Sequence, residues 1–60
     1  MLTHADAQNL ARLYAITRDS RVRDDCNRQL NAYLQALPVA MKTPTINDLL
    51  VCACAVLEGK

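Results

Sequence analysis

Glycine occurs once in this chain, at Gly59. That alone excludes a glycine-rich loop of the kind that cradles phosphates. Phe and Trp are absent, and Tyr14 and Tyr33 are the only aromatic residues, so a core must be built from Leu, Ile, Val, Ala and Cys. Two prolines and one glycine supply too few turns for a β-sandwich, so helices are favoured. Charge of one sign is also lacking. The net charge is +1, which gives no general drive toward nucleic acid or an acidic membrane. The longest apolar run, residues 49–57, has nine members, against about 20 needed for a membrane-spanning helix. No basic segment followed by an apolar run marks a secretion signal.

Histidine is as scarce as glycine. With His4 alone, no Ser or Cys acquires the paired base that a nucleophilic triad requires. The expectation for His4 is a surface residue without a role. Cysteine is present in an odd number: Cys26, Cys52 and Cys54. Without a secretion signal, three cysteines point to free thiols in a reducing compartment. Cys52 and Cys54, two apart on a helix, diverge by about 200° and cannot readily share a metal ion. Cys26 and His4 are too scattered to complete a zinc site. Asp24 and Asp25 are adjacent and diverge, so they do not form a convergent acid–base pair. The sequence thus points to a protein with no catalytic residues, no metal and no cofactor.

What the chain does have is 52% hydrophobic and 22% charged residues, a globular composition. Sixty residues make a single domain, residues 1–60, of marginal stability. Thr3 followed by Asp6 reads as a helix cap. Leu2, Ala7, Leu10, Leu13, Tyr14 and Thr17 then share one side of a helical wheel, which predicts a helix over residues 3–17. Asp19 or Ser20 can cap a second helix. Its stripe is Val22, Cys26, Leu30, Tyr33, Leu34 and Leu37, and Asp24 and Arg28 stand at the favoured ion-pair spacing. Pro38 ends that helix near residue 37. Residues 38–45, with both prolines, read as a loop. Thr45 with Asp48 repeats the cap of the first helix and predicts a third helix over residues 45–58. The fold class expected is therefore all-α, a compact three-helix bundle.

The third helix is apolar nearly all round. Ile46, Leu49, Leu50, Ala53, Cys54 and Leu57 form its main stripe. Val51, Cys52, Ala55 and Val56 form a second apolar side that two partner helices cannot also cover. Those four are the expected self-association surface, and a homodimer is the expected assembly. Arginines cluster elsewhere. Arg12, Arg18, Arg21, Arg23 and Arg28, together with Tyr14, form the expected partner-binding region, since Arg and Tyr favour interface hot spots. Between Arg18 and Arg28, four arginines are offset by three aspartates. DNA binding by an Arg-rich helix is accordingly the alternative to a protein partner, and no membrane role is expected.

The compact length, the Met1-Leu2-Thr3 start, the Ala/Arg/Leu-rich helical composition and the three free cysteines resemble the small accessory proteins of bacteriophage early regions. Those encoded between the exonuclease and excisionase genes of lambdoid phages are the comparison. The resemblance implies a regulator in the host cytoplasm that alters host or phage processes by binding. It carries over no site residue.

Overall fold

A computed structural model describes residues 2–59, and among these the chain is entirely helical with no strand. Helix α1 spans His4–Ile16, α2 spans Ser20–Gln35 and α3 spans Val39–Glu58. The starts of the first two helices follow from their caps. Thr3 and Asp6 form a reciprocal capping box: the Asp6 amide donates to Thr3 Oγ1 at 3.1 Å, and the Thr3 amide donates to Asp6 Oδ2 at 3.2 Å. Asp19 caps α2 by accepting from the Arg21 amide at 2.9 Å. Each satisfies donors that the first helical turn leaves without partners.

The third helix departs from the sequence expectation. It starts at Val39 and runs through Pro44, so residues 39–45 are helix and not loop. Thr45 is not its cap but a buried residue, 6% exposed. Pro38 stands at the N-cap without a side-chain hydrogen bond. Pro44, in the second turn, removes the amide that would donate to Ala40. The helix tolerates this loss because the affected side is exposed to water, while Thr45 and Leu49, just beyond it, are buried.

The core lies between α1 and its two neighbours. Ala7, Ala11 and Leu49 are buried together, with Leu30, Tyr33 and Leu34 packed against them. Cys26 is buried on α2. Thus α1 is the central element, while α2 and α3 touch each other little. The long residues of the expected α1 stripe are only partly used: Leu10 is half-buried, and Leu13 and Tyr14 stay exposed. The alanines take their place at the contact with α3.

The inward side of α3 carries Thr45, Leu49, Cys52, Ala53 and Val56, all buried or half-buried. Its expected main stripe is therefore mostly outside. Of those residues Leu49 is buried and Ala53 half-buried, whereas Ile46, Leu50, Cys54 and Leu57 are exposed. The 20-residue α3 is, by length and composition, long and apolar enough to cross a membrane. The structure exposes 4395 Å², where a folded chain of 6.7 kDa exposes about 3,900 Å².

Because a proline inside a helix costs about 3 kcal/mol relative to alanine, Pro44→Ala is expected to stabilise the fold by about 1–3 kcal/mol. Urea unfolding measures this. An unchanged midpoint would mean that helix α3 starts after Pro44.

Candidate functional site

One polar cluster joins all three helices. His4, in the first turn of α1, sits with Nε2 2.7 Å from Asp48 Oδ2 on α3 and Nδ1 3.2 Å from the Tyr33 hydroxyl on α2. Gln8, one turn further along α1, donates its amide to the same Asp48 oxygen at 2.7 Å. An ionised carboxylate only accepts, so Nε2 carries a proton. In the neutral ring Nδ1 then accepts from the Tyr33 hydroxyl. The His4 and Tyr33 rings lie 6.4 Å apart at a 40° tilt. The Gln8 amide, and then His4, hold the Asp48 carboxyl below its ordinary pKa. His4 is still 45% exposed and Asp48 44%. This overturns the expectation that His4 is without a role, because it bridges the two helices that α1 separates.

The cluster links the three helices through side chains. It is open to water, and no three His, Cys, Asp or Glu side chains among the described residues are grouped to hold a metal ion. An apolar groove of about 370 Å³ lies beside Tyr33, lined also by Leu2, Ala32, Ala36 and Leu37. It offers shape without a convergent set of polar groups. The thiols are dispersed: Cys26 is buried, Cys52 half-buried and Cys54 exposed. Burial, and then the charge of Asp25, push the Cys26 thiol up.

The arginine region divides in two. Arg12 Nη1 donates to Asn9 at 2.8 Å, and Nη2 approaches Cys52 Sγ at 3.8 Å. Arg23 donates to the Thr17 carbonyl at 2.9 Å and lies over the Tyr14 ring, 5.9 Å from its centroid. It thereby closes the C-terminal end of α1. Arg18, Arg21 and Arg28 are exposed, and among the described residues their side chains make no hydrogen bond or ion pair. The expected Asp24–Arg28 pair is not formed. Instead Gln29 donates to Asp25 at 3.0 Å. The six residues expected to bind a partner therefore divide into an engaged trio, Arg12, Arg23 and Tyr14, and a free one.

The four residues expected for self-association also divide. Val51 and Ala55 are exposed, with Val51 at 66%, and line an outer groove of about 470 Å³ with Asn47, Leu50, Cys54 and Glu58. Cys52 and Val56 face inward and are half-buried. Leu50 and Cys54, assigned to the core from the wheel, belong to the outer face. Comparison with protein-family models, curated proteins and solved structures found no match.

The depressed Asp48 pKa gives its stabilisation a definite sign. The contribution is fully present above the ordinary carboxylate value of 3.8 and is lost as pH falls through the lower folded value. Asp48→Asn is expected to lower the thermal midpoint at neutral pH. The gap to the parent protein should narrow as the pH drops below about 4. Parallel melting curves from neutral to acid pH test this, and a gap that widens in acid would contradict it.

Proposed function

We propose that this protein is a small, non-enzymatic interaction module of the host cytoplasm, dimeric, which modulates a host or phage process by binding a protein partner. The observation that carries this reading is the placement of α3. The most apolar element of the chain is packed on one side and open along the other, with Leu50 57%, Val51 66% and Leu57 53% exposed. Contiguous exposed apolar surface of this kind marks a contact site. The proposal includes no cofactor and no metal, and it gives α3 a protein neighbour instead of a bilayer.

A second reading rests on Arg18, Arg21 and Arg28, the free arginines that run from just before α2 to its middle. They suit phosphate contacts, which makes a DNA-binding regulator the alternative. Asp19, Asp24 and Asp25 stand among them, and Arg12 and Arg23 are already engaged. Both features weaken a phosphate-binding patch.

Fluorescence anisotropy with a random-sequence DNA duplex separates the two readings. The interaction-module reading expects no binding at micromolar protein, even at low salt. The DNA reading expects affinity that falls steeply as salt rises, because neutralised phosphates release counterions. It also expects Arg18→Ala with Arg21→Ala to flatten that slope.

A further inference from the structure

We infer that the open face of α3 is covered by α3 of a second copy, packed parallel and in register, with Asn47 of each chain facing the other. This rests on the interaction-module reading and specifies its partner.

The first argument is the pattern. Ala40, Thr43, Asn47, Leu50, Cys54 and Leu57 recur at alternating spacings of three and four residues, and every one is exposed. That is the spacing of the seam positions of a two-helix coiled coil over about two and a half heptads, with four of the six positions apolar. Val39 and Ile46 flank it on one side and Val51 on the other, all exposed. The inward residues Thr45, Leu49 and Val56 lie on the opposite side of the helix, so the intramolecular core and the seam do not compete.

The second argument is area. The chain as a whole leaves about 500 Å² more surface open than the size scaling gives for its mass, and every large apolar residue among those described that is more than half exposed (Val39, Met41, Leu50, Val51 and Leu57) lies on α3. Two copies hiding that excess bury about 1,000 Å², the lower bound for a specific interface. A weak, concentration-dependent dimer is the expected consequence.

The third argument fixes orientation. Ala40, Asn47 and Cys54 occupy one type of seam position, and Thr43, Leu50 and Leu57 the other. A parallel pair in register sets like against like, so the Asn47 amide meets its own copy and can both donate and accept. A single Asn at this type of position specifies register in parallel coiled coils. An antiparallel pair sets the two types against each other. Asn47 then faces Leu50, Leu57 or Thr43. The leucines leave its amide unpartnered. The Thr43 register carries Leu57 past the start of the other α3, so it loses an apolar contact.

The test uses the full chain. Sedimentation of the parent at tens to hundreds of micromolar should show a dimer. Leu50→Glu, at an exposed position, should keep the helical spectrum and be monomeric. Asn47→Leu should tighten association at least tenfold. A variant with Cys26→Ala and Cys52→Ala, keeping Cys54 alone, should form a covalent dimer in oxidised glutathione, whose reduction accounts for the electrons. If Cys26→Ala unfolds the chain, Cys52→Ala alone with mapping of the linked peptide gives the same readout. A dimer that survives Leu50→Glu overturns the seam but leaves the interaction module standing. A dimer lost in Leu50→Glu without a Cys54–Cys54 link overturns the parallel arrangement. A parent that stays monomeric throughout overturns the self-pairing altogether. The broader reading would then stand or fall separately, on whether Leu50→Glu abolishes binding of a different protein.

Discussion

The close approach of α1 to α3 is the contact on which the architecture depends, and alanine makes it. Ala7 and Ala11 are almost fully buried, and neither offers a side chain long enough to hold the helices apart. Small residues at the crossing let Leu49 pack with Ala7 and Ala11, while Leu30, Tyr33 and Leu34 pack against them from α2. The cost of that geometry is a thin core. A fully buried leucine contributes about 1.5–3 kcal/mol, and among the described residues Leu49, 7% exposed, is the only large aliphatic side chain that is buried. A bundle so poor in buried volume needs help from polar contacts, and His4 supplies it where α2 and α3 would otherwise barely meet.

Much of this organisation is legible in the residues themselves. The capping box at Thr3 and Asp6, the Asp19 cap and the 3.6-residue recurrence of apolar positions place α1 and α2 within two residues of their observed bounds. These signals are local, and nothing tertiary overrides them. The start of α3 is different. Pro44 reads as a breaker, and Thr45 with Asp48 imitates a cap that the folded chain does not use. Burial of Thr45 and Leu49 outweighs the lost hydrogen bond, a trade invisible to any local rule.

The facing of α3 was illegible for another reason. A helix apolar around most of its circumference has almost no phase, so hydropathy does not say which side turns inward. The facing is set by contacts with α1: Leu49 packs with Ala7 and Ala11, Asp48 accepts from Gln8 and His4, and Arg12 approaches Cys52 on that same side. Leu50, Val51 and Cys54 lie outside. The partners of His4 lie 29 and 44 residues away, beyond the reach of any pattern read along the chain. The arginine cluster was visible as composition, but not its division into engaged and free members.

These features connect stability to association. A fold with so little buried hydrocarbon stands near the lower edge of stability for its size. Any partner that binds only the folded form adds RT ln(1 + [L]/Kd) to it. In the self-pairing inferred above, the ligand is the protein, so stability would rise with concentration. The polar staple and the open α3 face are then complementary parts of one solution. The staple turns Asp48 toward α1, and Leu50 and Leu57 then lie on the exposed side of α3 together with Asn47.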